Sequence, residues 1–387
     1  MKLTALASAA PDAVRAALAA RGWDADPAAF AAAGLEPLVV LLEQISEPER
    51  EALVHWAART GADVLTGEGW ALIAAAASRL APLARPDRAP PELAGLGPEL
   101  ARFLAAHADP VRAWQVRDAE IALAAPVILG IVNVTPDSFS DGGQFASTGA
   151  AVAQAERLAV EGAQIVDIGG ESTRPGAGVV PVEAEIARVA PVVAAAAKRG
   201  IRVSVDTRKA AVARAALDAG ALIVNDVSGL GFDPEMARTV AEAKAGLVLM
   251  HMRGTPDTMD ALAQYRQVAV EVADELRRGV DTAAGAGVER ERIVVDPGLG
   301  FAKTPAQNWR LLDELATIAG LGYPVLVGPS RKRFLGAATG ATVADRDRAT
   351  AVACALAWER GARLFRVHHV ALAREALSVA AATRPIP

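Results

Sequence analysis

A chain of 387 residues, 52% apolar and with a formal net charge of −5, has the length for two or three domains and the apolar content for a sizeable core. Its negative balance disfavours non-specific binding to nucleic acid or to an anionic membrane. One cysteine, Cys354, excludes an internal disulfide framework and any cysteine-based zinc site.

The N-terminus, MKLTALASAAPDA, has one Lys and an A-x-A pattern, but its apolar core is too short for a signal peptide and a helix pattern follows. Residues 13–21 read as that helix, closed by Gly22. Residues 37–45 (PLVVLLEQI) have strand length. Ser46 then opens a capping box with Glu49 for a helix through Thr60 that Gly61 ends. Residues 62–66 predict a second short strand and 70–80 a second helix. The expectation for 1–81 is a small α/β accessory domain, a β-α-β-α unit behind an N-terminal helix. It shows no metal triad, phosphate loop or clustered carboxylates, so docking, dimerisation or stabilisation is its default role, and a regulatory ligand site the sharper alternative. Residues 82–98 (PLARPDRAPPELAGLGP) are dense in Pro and Gly, which makes 82–112 a linker with a connecting helix. The apolar run at 121–132, broken by Pro126, falls short of the roughly 18 residues of a membrane-spanning helix. A cytoplasmic protein without membrane partners is expected.

From Val127 onward eight short β-branched runs recur: VILGIVNVTPDSFSDGG, IVDIGGESTRPG, VSVDTR, LIVNDVSG, GLVLMHM, IVVDPGLGFAKT, PVLVGPSRK and LFRVHH. Stretches rich in Ala, Leu, Glu and Arg, long enough for helices, separate them. Eight strands with crossover helices in roughly 250 residues predict a (β/α)8 TIM barrel over 113–387, with its active site at the C-terminal strand ends. Helices over 209–219 and 346–360 are closed by Gly220 and Gly361, and Cys354 in the second reads as a small buried hydrophobe. The longest connection, 253–292, holds an amphipathic stretch at 261–284. The first strand's loop, 135–148, is rich in Ser, Asp and Gly, as lids are. Of 40 basic residues only six are lysine, which draws attention to each one retained.

The predicted strand ends carry the polar residues, Asp167 among them. Asp206, Asn225 and Asp296 deliver an acceptor, an amide and another acceptor toward one mouth, a set suited to a flat heterocycle whose buried edges must be matched. The alternative for Asp206 is a cap on the following helix. Ser330, Arg331 and Lys332 follow strand seven, and Arg366 and His368, two apart on strand eight, share a side. Loops after strands seven and eight form the usual phosphate site of this fold, and a helix start there adds N–H donors. A third set lies on two loops, Asn133 to Gly143 and Glu171 to Gly176. Asn133 offers a neutral oxygen suited to Mg2+ that keeps its waters and holds a diphosphate. His251, between Met250 and Met252, reads as packing or hydrogen bonding rather than catalysis.

The strings NVTPDSFSDGG, GGESTRPG, VDPGLGF and GPSRKRFLG, in this order over roughly residues 123–376, closely resemble the dihydropteroate synthase family, pterin-binding TIM barrels. The resemblance implies condensation of 6-hydroxymethyl-7,8-dihydropterin diphosphate with p-aminobenzoate to 7,8-dihydropteroate and diphosphate in folate synthesis. It implies an SN1-like course through a pterin cation, Mg2+ dependence, inhibition by sulfonamides and a homodimer. By motif, Asp206, Asn225, Met250, Asp296, Phe301 and Lys332 are the implied pterin contacts. Asn133, Thr173, Arg174, Arg366 and His368 are the implied diphosphate contacts, with Asn133 on the metal. Phe139, Thr173, Pro175, Ser330 and Lys332 are implied at p-aminobenzoate. Asp206, Lys332, Asp141, Arg366 and His368 are the implied catalytic set.

Two departures stand out. The family reads R-x-H-D on strand eight, where this chain has Arg366-Val367-His368-His369; His369 is expected to face away from the site and to cap the last helix less well than Asp. The N-terminal module is extra. Two further readings remain open: a catalytically silent pterin-binding protein, and a methyltransferase barrel moving a methyl group from methyltetrahydrofolate to a corrinoid protein. The second has no need of the Ser-Arg-Lys and Arg-x-His anion sites.

Overall fold

The computed structural model describes residues 2–6, 38–108, 111–135, 143–172, 178 and 180–383. The expected helix at 13–21 lies outside them. The chain divides into two compact units: Met1–Pro110 with Tyr265–Glu271 and Glu314–Gly322, and Val111–Gln264 with Val272–Asp313 and Tyr323–Pro387.

The first unit holds a four-stranded antiparallel sheet of order β1-β2-β4-β3, built from β1 (Lys2–Leu6), β2 (Leu38–Glu43), β3 (Asp63–Gly67) and β4 (Trp70–Ala75). Helix α1 (Glu47–Thr60) starts at the Ser46–Glu49 capping box and ends at Gly61, in the left-handed region at φ 67°. The helix expected over 70–80 is instead β4, followed by a single turn α2 (Ala77–Leu80). Its reason is local: Gly67 pairs with Trp70, so Glu68 and Gly69 close a two-residue hairpin, with Gly69 at φ 74°. Of the linker and connecting helix expected over 82–112, the helix is present and only the Pro/Gly-rich segment before it departs, being packed into a core. Two 3-10 turns, Ala81–Ala84 and Pro91–Leu96, lead into α3 (Gly97–Ala108). Leu83, Leu93, Leu96 and Leu100 are buried in one core with Leu42, Leu53, Trp56 and Ile73. The prolines shape short turns there, and the leucines between them bind the segment to the sheet and α1.

The second unit opens with a hairpin, β5 (Ala113–Val116) and β6 (Ala119–Ala122). Eight parallel strands then close a barrel: β7 (Val127–Asn133), β8 (Ile165–Gly169), β9 (Val203–Asp206), β10 (Ile223–Asp226), β11 (Gly246–Met250), β12 (Ile293–Asp296), β13 (Val325–Val327) and β14 (Ala362–Val367). Between them in sequence run α4 (Gly143–Glu161), α5 (Val182–Ala197), α6 (Ala210–Asp218), α7 (Met236–Glu242), α8 (Val268–Gly285), α9 (Pro305–Asp313), α10 (Leu315–Ala319), α11 (Arg333–Thr339) and α12 (Asp347–Glu359), with α13 (Val370–Thr383) after the last strand; α10 and the first turn of α8 are grouped with the first unit. This is the TIM barrel the eight runs predicted. Cys354 is buried in α12. No helix among the described residues is long and apolar enough to cross a membrane.

What positions the site is the layering inside the barrel. Leu129, Ile165, Ile223, Val248, Val294, Leu326 and Leu364 form one apolar cluster with Trp114, Val116 and Ile121 of the hairpin. The hairpin thus plugs the N-terminal end, and Trp114 Nε1 donates to the Arg292 carbonyl at 2.8 Å. Because strand side chains alternate, the residues two positions further on point the same way. There four of the seven strands turn polar, at Asp167, Asn225, Asp296 and Arg366.

Candidate active site

Above the apolar layer stand Asp167 on β8, Asp206 on β9, Asn225 on β10, Met250 on β11, Asp296 on β12 and Arg366 on β14. Arg366 joins three of these strands. Its Nε donates to Asp167 Oδ2 at 2.5 Å and its terminal nitrogen to Asp206 Oδ2 at 2.6 Å. Asn225 Nδ2 donates to the same Asp167 oxygen at 3.2 Å. Burial raises the Asp206 carboxyl to about 7; Arg366 opposes that, while Asp167, Glu185 and Asp226 add to it. Burial works against the Arg366 charge, but Asp167 and Asp206 outweigh it and push its pKa up. Asp206 is not a helix cap: the first N–H of α6, at Ala210, donates to Asp233 at 2.8 Å. Asp226 is the turn-former here, taking the Ser228 and Leu230 N–H groups.

Asp296 accepts the Gly298 N–H at 2.7 Å, and burial raises its carboxyl to about 6 against the pull of that bond and of Lys332, Arg366 and Lys303. Lys332, the residue before α11, donates to the Leu299 carbonyl at 2.7 Å, and its Nζ lies 3.8 Å from the Phe301 ring centroid. Burial lowers its ammonium to about 7, with Asp296 the chief opposing charge. The turn carrying Leu299 and Phe301 depends on two glycines in the left-handed region, Gly298 at φ 68° and Gly300 at φ 82°. A Cβ on Gly298 would lie 2.0 Å from the His251 carbonyl oxygen, and one on Gly300 2.5 Å from Lys332 Cδ.

At the other side of the mouth, Ser330 Oγ and His368 Nδ1 are 2.9 Å apart, and the His368 N–H donates to Ser330 Oγ at 3.1 Å. Arg331 departs from the expected basic trio. With φ 57° it turns away and pairs with Asp347 at 2.8 and 2.7 Å. Asn133 ends β7, in register with Gly169, and is half-buried. Phe139, Asp141, Thr173, Arg174 and Pro175 lie outside the described residues. His251 makes the hydrogen bonds expected of it: Nε2 to Glu275 and Nδ1 to Lys303 Nζ, both at 3.0 Å. Burial and Lys303 hold its imidazole down at about 4.

Sequence reasoning missed three participants. Asp167 was seen at a strand end but given no task. Lys303, buried, donates to the carbonyls of Gly298 and Phe301 at 3.1 and 2.9 Å as well as to His251, fixing the turn beneath Lys332. Lys209, also buried, binds Glu171, Glu185 (2.5 Å) and the Val180 carbonyl (2.9 Å). The scarcity of lysine was the signal that could have found the last two.

Residues 129–368 match the model of the pterin binding enzyme family, well over half of the chain. The chain is 48% identical to dihydropteroate synthase of Mycobacterium leprae over 269 residues, 68% of this chain and 95% of that one. The chain belongs to the dihydropteroate synthase family. Solved structures of the family superpose on it. The Xanthomonas albilineans dihydropteroate synthase with 4-aminobenzoic acid has a TM-score of 0.67 at 44% identity, covering 71% of this chain and 99% of that one. The Yersinia pestis dihydropteroate synthase in a sulfonamide drug complex has a TM-score of 0.67 at 36% identity, covering 71% and 100%. The family match starts at residue 129, within the first barrel strand, and leaves residues 1–128 outside it.

Proposed function

We propose that the barrel mouth performs the dihydropteroate synthase reaction, displacing diphosphate from 6-hydroxymethyl-7,8-dihydropterin diphosphate by p-aminobenzoate. The observation that carries this reading is the polar layer above a sealed apolar floor: two carboxylates and an amide on β9, β12 and β10, with Arg366 and Lys332 beside them. Asp206, Asn225 and Asp296 match the pterin's hydrogen-bonding edge, and Met250 and Phe301 wall its faces. Buried carboxylates favour the cation left when diphosphate departs, while Arg366, His368 and Asn133, with Thr173 and Arg174, take the anion. Phe139, Thr173, Pro175, Ser330 and Lys332 frame p-aminobenzoate, whose arylamine is already uncharged at neutral pH and needs no strong base. The loop bearing Asp141 excludes water from the cation.

Mg2+ fits this donor set as an ion shared with the substrate. Among the described residues no group of three His, Cys, Asp or Glu could hold a metal, whereas Asn133 supplies one neutral oxygen at the end of β7. Bound there, Mg2+ would neutralise charge on the leaving diphosphate. Exposed Val352 and Leu356 on α12 and Val379 on α13 (59, 40 and 66%) support a homodimer through these packed helices. A cytoplasmic location and sulfonamide inhibition complete the proposal.

Diphosphate release by the purified protein, with Mg2+ and the pterin diphosphate, tests the reaction. Release that requires p-aminobenzoate and yields dihydropteroate is expected. Pterin binding without release would replace this reading with that of a silent binder.

A further inference from the structure

We propose that Asp167 is a positioning residue of the substrate site: one buried carboxylate oxygen on β8 sets both the Arg366 guanidinium and the Asn225 amide. The proposal rests on the anion and pterin assignments of those two residues given above.

Asp167 is fully buried, and its Oδ2 takes both donors, Arg366 Nε at 2.5 Å and Asn225 Nδ2 at 3.2 Å. Its Oδ1 is buried and meets no protein donor among the described residues. For stability alone this is a poor arrangement. A carboxylate inside a barrel, half satisfied, serves the fold less well than an apolar side chain of similar volume, such as the aliphatic residues one layer below. What the carboxylate does accomplish is geometric. The Asn225 amide cannot flip, because its carbonyl oxygen would then face a carboxylate oxygen, so the edge shown to a ligand is fixed. The Nε side of Arg366 is held on β8, which leaves the far end of the fork to meet an anion. Arg366 is also shared with Asp206 at 2.6 Å. Without Asp167 the guanidinium would rest wholly on Asp206 and withdraw that carboxylate from the ring. Thus a single charge ties anion binding to ring recognition.

The test is Asp167→Asn in the full chain, which keeps the side-chain shape and removes the charge. Binding of 6-hydroxymethyl-7,8-dihydropterin and of inorganic diphosphate with Mg2+ is measured separately by calorimetry, together with KM for each substrate. Both probes are expected to bind about tenfold more weakly or worse, with KM for the pterin diphosphate raised in proportion. KM for p-aminobenzoate should stay within about threefold, a split that a general loosening of the barrel does not produce. A variant that melts like the parent and binds both probes within about threefold of it overturns the proposal. Arg366→Lys and Asn225→Ala separate the two levels. If they too leave probe binding unchanged, the site assignment falls and the role of Asp167 with it; if they weaken binding and Asp167→Asn does not, the positioning role alone falls. Should Asp167→Asn fail to fold, the unmodified protein decides. Its Arg366 Nε–H, identified by the NMR signal lost in Arg366→Lys, is expected far downfield and slow to exchange, and the absence of such a signal overturns the proposal.

Discussion

At the scale of single residues, the retained lysines carry the clearest lesson. Lys209 and Lys303 each direct a compact ammonium at three acceptors, and Lys332 directs its own at the Leu299 carbonyl and the face of Phe301. A planar guanidinium carries its donors in a fixed fork and cannot reproduce that fan, so a chain that otherwise favours arginine keeps lysine here. Lys332 feels the charges of Asp296, Arg366 and Asp206, and burial lowers its ammonium to about 7. Lys332→Ala should lower kcat/KM by about 100-fold or more, the scale of losing one preorganised charge in a water-poor site. Steady-state kinetics check this, and a near-parental kcat/KM would remove Lys332 from the catalytic set.

Elements set where such side chains stand. The hairpin of β5 and β6 closes the barrel floor, and the C-terminal strand ends turn polar at the next layer. Sequence reasoning passed over that hairpin, although AWQVRDAEIAL alternates with period two, and nothing in the pattern says which opening it plugs. The final helix shows a smaller effect. His369 is exposed and accepts the Leu372 N–H through Nδ1 at 3.4 Å, a long bond for a cap. Its position agrees with the alternation argument, since its ring serves α13 and not the mouth. His369→Asp should raise stability by about 1 kcal/mol in chemical denaturation and leave kcat unchanged. A large gain in kcat would place His369 in the catalytic machinery instead.

The whole molecule carries a pH signature from charges hidden in its interior. His251, buried against Lys303 and Glu275, has its imidazole lowered from 6.5 to about 4. As pH falls below 6.5 the unfolded chain takes up a proton that the folded chain refuses until about 4. Stability is therefore lost across that window and levels off beneath it. This one group accounts for ~3 kcal/mol. Urea denaturation between pH 6.5 and 4 should show the parent losing more stability than His251→Gln by about that amount. Parallel curves for the two proteins would mean that His251 takes up its proton as readily in the folded chain as in the unfolded one.

From the sequence alone came the eight strands, their order of polar endings and the family, because β-branched runs, glycine stops and four long motifs are local features. Local pattern misled at 70–80 and 82–98, where an apolar run became a strand through hairpin pairing and a Pro-rich segment joined a core through its leucines. The direction in which a side chain points after a turn was likewise out of reach. Arg331 leaves the mouth for Asp347 because its backbone takes φ 57°, while Lys332 beside it turns toward Phe301. Asp167 is the sharpest case. Its residue type and strand were readable, but its work depends on Arg366, 199 positions away, and on Asn225 meeting it across a closed barrel. Only closure of the sheet brings those three strands together, so only the tertiary structure decides that they share one charge.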